Sequence, residues 1–313
     1  MTGMRVAVTG ASGFVGGAVC RALAGRGYEV LACGRRARVA PEHVGGAHYR
    51  RWDITDGPLD GAPAADAVVH CAGTVSDWGP IGEFFATNVD GTRNVLASFP
   101  GARFVHVSTA SVYDPYRPTV MAAEDRAPVR RYLNGYGASK AAAERAVLAS
   151  GARAVILRPH AVYGPGDTTI LPRILSAVRG GVLLGVGDGR QRISMTSIGN
   201  LVQACLLAVS GPVDHGVFNV TDAEPVTLDD ALRAILAERG VRARTAYLPL
   251  RAVWPVASAV EGAFLLAGSR RPPRLTRYAL SHLAVERTLD LTAARGRLGY
   301  DPAPTSFAGA ASW

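Results

Sequence analysis

At 313 residues, with 48% hydrophobic and 19% charged content, the chain has the make-up of a folded protein with a large core rather than of a disordered segment. Its net charge of +9 comes from scattered arginines, densest at Arg35, Arg36 and Arg38 and at Arg270, Arg271 and Arg274; without a long basic run or a reader motif, nucleic acid is not an expected partner. The four cysteines form no CxxC pair and the seven histidines show no ligand spacing, which predicts reduced thiols in a cytoplasmic protein and no metal site.

The opening "MTGMRVAVTG" runs directly into a strand pattern at 4–10 and lacks the regions of a signal peptide. "FVGGAVCRALAGRG" (14–27) follows as a helix and "EVLACG" (29–34) as a strand. Further strands are expected at 67–73, 103–109 and 154–159, with helices near 83–98 and 136–150 between them. This alternation predicts an α/β fold, a doubly wound parallel sheet of Rossmann type with a smaller C-terminal substrate-binding lobe. After residue 170 the rhythm loosens: 169–181 and 227–240 read as helices, with a last strand at 216–220. The dinucleotide-binding domain is expected over 1–170, completed by about 195–222, and the lobe over 171–194 and 223–313. The apolar stretch at 252–268 contains Pro255 and Glu261 and is short for a membrane span, so no stable membrane insertion is expected. A packed helix, an apolar wall or lid, and a membrane-surface contact remain open readings of it.

Between the first strand and helix lies "TGASGFVGG", in which Gly10, Gly13 and Gly16 leave room for backbone to turn and approach a pyrophosphate at a helix N-terminus. Where an NAD enzyme carries an acid at the end of the second strand, this sequence has Gly34 followed by Arg35 and Arg36. Guanidinium groups suit a 2′-phosphate, so NADP(H) is expected over NAD(H). Asp53, with Ile54, is placed in a loop where a carboxylate can accept from an adenine amino group; Ala72 and Gly73 are small residues where backbone passes the cofactor; Asn88 sits in "TNVDGTRN". A surface Asp and a helix-start Asn are equally open readings.

These pieces, together with "VHVSTASVYD", "YGASK" and "LRPHAVYGPGD", stand in the order found in extended short-chain dehydrogenases/reductases, which the chain resembles over most of its length. "TVSDWG", "SMTSIGNLVQA" and the C-terminal pattern are most similar to the 3β-hydroxysteroid dehydrogenase-like branch, which includes 3-oxo-acid reductases. The resemblance implies ketone/alcohol redox chemistry on a hydrophobic small molecule and a homodimer packed through long helices. It also adds Ser12, Phe14 and Pro159 to the cofactor-binding residues.

Within "YGASK", Lys140 is the only lysine beside 33 arginines, four residues after Tyr136. The match to the family's YxxxK implies Tyr136 as general acid/base and Lys140 as its electrostatic partner, both touching the cofactor. Lowering a phenol pKa from about 10 to about 7 takes roughly 4 kcal/mol, about what a charge some 4 Å away supplies at an effective dielectric near 20. Helical i, i+4 spacing puts the two side chains on one face. Thr109 matches the family's Ser/Thr position for orienting the carbonyl, with Ser108 and Ser111 as rivals. A nucleotide-sugar 4-ketoreductase or epimerase is an alternative. Ala110-Ser111 after Thr109 argues against a dehydratase, and Thr74-Val75 against a UDP-sugar epimerase. A non-catalytic NADP-binding sensor is the reading from another class.

Overall fold

The computed structural model describes residues 3–313. Seven parallel strands form the central sheet: β1 (Arg5–Thr9), β2 (Glu29–Gly34), β3 (His48–Arg51), β4 (Ala67–His70), β5 (Arg103–Val107), β6 (Ala154–Pro159) and β7 (Gly216–Val220). Their spatial order is β7-β6-β5-β4-β1-β2-β3, with every pairing parallel. The chain winds outward from β1 to β3, then crosses to β4 and winds the other way. The C-terminal ends of β1 and β4 therefore flank a crevice, the place where a doubly wound sheet accepts a ligand.

Alternate strand residues face opposite sides, which sets the two core layers. Val6, Val8, Val69 and Val105 pack under α1 (Phe14–Ala24), while Ala7, Val68, Phe104 and Ile156 face the opposite layer. That second layer carries a run of helical turns made of α2 (Ile81–Phe85), a wide π-type turn (Ala86–Asp90) and α3 (Gly91–Ser98), followed by α4 (Gly135–Ala149). The expected single helix near 83–98 is thus interrupted at Asn88 by a π bulge, a feature that re-aims side chains at functional sites.

Residues 169–181 hold only one short helix, α5 (Ile170–Ala177). Gly180 and Gly181 adopt φ of +54° and +72° and turn the chain into a hairpin between Val178–Arg179 and Val182–Leu183. Two left-handed residues in a row are what a tight hairpin turn needs, so "RGG" is a turn and not a helix end.

α6 (Ile198–Ser210) returns beside α1, and α7 (Leu228–Glu238), α8 (Leu250–Leu266) and α9 (Arg277–Leu283) follow in the lobe. A four-stranded sheet of the lobe joins Val226–Thr227, Arg192–Ile193 and Arg287–Leu289 with Thr119–Ala122, a segment from the first half of the chain. Leu291, Ala294, Leu298 and Tyr300, expected within the lobe, instead pack into the core beneath α1 and α6.

Candidate active site

The glycine loop is fixed by close backbone approach. Gly10 has φ +71°, and a Cβ there would come within 2.7 Å of the Ala72 nitrogen. A Cβ on Gly16 would collide with the Gly10 carbonyl, whose oxygen accepts from the Gly13 N–H at 2.9 Å. Gly13 caps α1 without any side-chain hydrogen bond, so the first-turn N–H groups stay directed at the crevice. The cradle is thus one that any side chain would fill, and it suits a diphosphate.

Ser12, Gly13, Arg35, Arg36 and Asp53 line one cavity of about 500 Å³ at the end of β2. Among the described residues no carboxylate pairs with Arg35 or Arg36. Asp53 caps the following turn, accepting from the Thr55 N–H at 3.0 Å and hydroxyl at 2.8 Å. The Ile54 side chain is buried in the core against Gly91, and its carbonyl accepts from Asn94 at 2.8 Å. Phe14 lies against Gly166, joining the glycine loop to the "VYGPGD" segment, and Pro159 is buried at the end of β6.

Asn88 is buried and spends its amide on protein groups. Its oxygen accepts from the Thr74 N–H at 2.8 Å, and its nitrogen donates to Ser139 at 2.9 Å and to the Thr74 carbonyl at 3.2 Å. It therefore holds the Ala72–Gly73–Thr74 backbone against α4 and shapes the crevice through that backbone.

α4 delivers Tyr136 in its first turn, behind an Asn134 cap that accepts from the Gly137 N–H at 3.1 Å. Its position is fixed by an enclosed ion pair. Arg158 of β6 donates to Glu144 through Nε at 3.0 Å and Nη2 at 2.8 Å, and Ser108 donates to the same carboxylate at 2.5 Å. Ser108 is thereby committed to the structure. Thr109, at the end of β5, accepts from the Ser111 N–H at 3.1 Å, and its hydroxyl lies beside that of Tyr136.

Tyr136 and Lys140 are only 7% and 5% exposed. Their electrostatics differ from the expectation. The Tyr136 phenol is pushed above its ordinary pKa, because burial outweighs the hydrogen-bonding pull of Thr109. Lys140 does not offset this, because its ammonium is turned onto the sheet. Its Nζ donates to the Val107 carbonyl at 2.8 Å and stands 3.2 Å from His106 Nε2. Among the described residues no hydrogen bond joins it to the phenol. Burial lowers its own pKa to about 8, against the raising influence of Glu144 and Cys71. Cys71 directly precedes the Ala72 backbone that Gly10 approaches.

Sequence reasoning missed the groups supplied from a distance. Tyr278 of α9 sets its ring edge-on to Tyr136 at 6.2 Å, and its hydroxyl pairs with that of Ser111 at 2.7 Å. Ser111 in turn pairs with Thr109 at 3.1 Å, making a hydroxyl chain across the lobe boundary. His106 is buried and its pKa lies well below 6.5 through burial and the nearby Lys140, so its neutral Nε2 can accept from the ammonium. The loop at 74–79 ties the lobe down. Asp77 accepts from Thr276 at 3.0 Å and Arg173 at 3.1 Å, while Trp78 donates to the Ser269 carbonyl at 2.9 Å and meets Phe264 edge-on. "TVSDWG" signals that loop, and Tyr278 lies in the C-terminal pattern that carries the family resemblance, with no sign in the sequence that it packs on Tyr136.

The sequence profile of the NAD dependent epimerase/dehydratase family matches residues 6–221. The chain is 31% identical to a 2-alkyl-3-oxoalkanoate reductase of Stenotrophomonas maltophilia, over 96% of this chain and 95% of that one. It is 32% identical to a 4-hydroxy-2-methyl-3-oxo-4-farnesyl-3,4-dihydroquinoline-1-oxide ketoreductase of Stigmatella aurantiaca, over 95% and 92% of the two chains. Among solved structures it is similar to MoeE5 in complex with UDP-glucuronic acid and NAD, with a TM-score of 0.72, 27% identity, and 97% and 95% of the chains covered.

Proposed function

Because the chain belongs to the NAD dependent epimerase/dehydratase family, we propose that it is an NADP(H)-dependent oxidoreductase interconverting a ketone and a secondary alcohol on a hydrophobic, 3-oxo-acid-like or sterol-like substrate. The observation that carries this reading is the enclosed Tyr136 phenol with the Thr109 hydroxyl beside it.

A nicotinamide cofactor, when bound, supplies hydride to a ketone carbon or accepts it from an alcohol. Gly10, Gly13 and Gly16 would hold its diphosphate, Arg35 and Arg36 its 2′-phosphate, Asp53 its adenine and Lys140 the ribose beside the nicotinamide. Tyr136 gives its phenolic proton to the carbonyl oxygen as negative charge gathers there, and Thr109 donates a hydrogen bond to the same atom. A phenol whose pKa is raised stays protonated at neutral pH, so the acid needed for reduction is present without titration. Alcohol oxidation runs the same steps in reverse, with Tyr136 accepting the hydroxyl proton.

The substrate class draws support from relatives named as reductases of alkyl-bearing and farnesyl-bearing 3-oxo compounds. It also draws support from Trp78, Phe264 and Tyr278 near the lobe boundary. Arg173 and Arg277 are bound to Asp77 and Glu261, which leaves them engaged and not free for a sugar diphosphate. The second reading, a nucleotide-sugar enzyme, is favoured by the likeness to MoeE5. The buried, unbridged thiols of Cys20, Cys33 and Cys205 fit the reducing cytoplasm, and a homodimer completes the reading.

The test compares kcat/KM for NADPH and NADH with alkyl 3-oxo acids and a dTDP-4-keto sugar as acceptors. NADPH and the 3-oxo acids are expected to win, and Arg35→Asp is expected to cut kcat/KM for NADPH by about 10-fold or more. A wild type that prefers NADH contradicts the cofactor assignment. Turnover of the sugar without any of the hydrophobic ketones contradicts the substrate class.

A further inference from the structure

α8 breaks the usual rule for a surface helix, in which the outward face is polar. Its outward stripe is Ala252, Val256, Ala259, Val260, Ala263 and Leu266, all exposed. Val256 is 62% exposed and Leu266 93%. The inward face is already satisfied, with Ala257 and Glu261 buried and Glu261 bound to Arg277 through both its oxygens. The apolar outer stripe is therefore surplus to the fold.

Charge decides what fits it. Between residues 249 and 276 the one carboxylate is Glu261, which is buried, whereas Arg251 stands at one end of the helix and Arg270, Arg271 and Arg274 follow the other. All four arginines are exposed. Arg270 reaches the exposed Glu83 at 3.5 Å, and among the described residues Arg271 and Arg274 pair with no carboxylate. A second copy laid on this face in either direction would bring cationic ends together, which opposes pairing. An anionic surface meets the same arginines favourably while the stripe enters its apolar boundary. Among the described residues no helix is long and apolar enough to cross a membrane, so the contact is parallel to the surface.

We propose that α8 docks the protein peripherally on an anionic lipid surface, stripe inward and arginines on the headgroups. The C-terminal end of α8 adjoins the site through Phe264 and Trp78, so docking sets the lobe boundary beside the lipid. The proposal stands independently of the reaction assigned above.

The experiment is co-sedimentation of the full chain with vesicles of pure phosphatidylcholine and of phosphatidylcholine mixed with phosphatidylglycerol, at low and high salt. Binding is expected on the mixed vesicles and is expected to weaken with salt. Val256→Glu with Val260→Glu, at exposed positions, and separately Arg271→Glu with Arg274→Glu, are each expected to reduce it about 10-fold or more while leaving Tm unchanged. Absence of wild-type binding to the mixed vesicles, or binding that both folded variants retain, overturns the proposal. So does a wild-type dimer in solution that the valine variant converts to monomer, since the face would then belong to a second copy.

Discussion

Lys140 is a charged group held where charge is costly. Its pKa in the fold, about 8, lies below the ordinary 10.5, so below pH 8 the folded state carries a buried ammonium at the expense of its hydration. The unfolded chain binds more protons between those values, and wild-type stability contributed by this group therefore rises as pH climbs from 8 towards 10.5. Replacing Lys140 with Met removes that cost but leaves the Val107 carbonyl and His106 Nε2 without their donor. Thermal melts are therefore expected to show wild type gaining on the variant as pH climbs from 8 towards 10, while turnover is lost. A stability difference that stays constant over that range contradicts this. Tyr136 and Lys140 were legible because one helical turn joins them and the chain has no other lysine. The turn of the ammonium onto Val107 and His106 was not legible, since it depends on a strand more than thirty positions away.

At the scale of elements, α4 is held by charge as much as by apolar packing. Glu144, fully buried, takes two hydrogen bonds from Arg158 and one from Ser108. Breaking such a pair on one side leaves the other charge enclosed and uncompensated, a loss of about 3–5 kcal/mol. Glu144→Gln is thus expected to lower the denaturant midpoint strongly with little change in the m-value. A midpoint within error of wild type contradicts the anchoring role. The strands and α1 were readable from alternation and from the glycine loop. The π bulge at Asn88 and the Gly180-Gly181 hairpin were not, because each replaces a helical pattern with backbone geometry that apolar periodicity does not encode.

For the whole molecule, the lobe is assembled from segments far apart in the chain and fastened at one loop. Asp77 joins α5, through Arg173, to the cap of α9, through Thr276. Asp77→Ala frees both and loosens Tyr278 over Tyr136, without touching the glycine loop. KM for the ketone is expected to rise about 5-fold or more while NADPH affinity stays unchanged. An unchanged KM contradicts the fastening role. The lobe was legible only as a region. Thr119–Ala122 joins its sheet from the first half of the chain, and residues 291–300 leave it for the main core, arrangements set by pairing rather than by composition.

In the proposed reaction the enclosed phenol of Tyr136 donates the proton for ketone reduction. Single-turnover reduction by Tyr136→Phe, with NADPH binding measured on the same sample, isolates that proton. A loss of about 10²–10⁴-fold in rate is expected, with NADPH affinity retained. A Phe variant that reduces the ketone at the wild-type rate contradicts it.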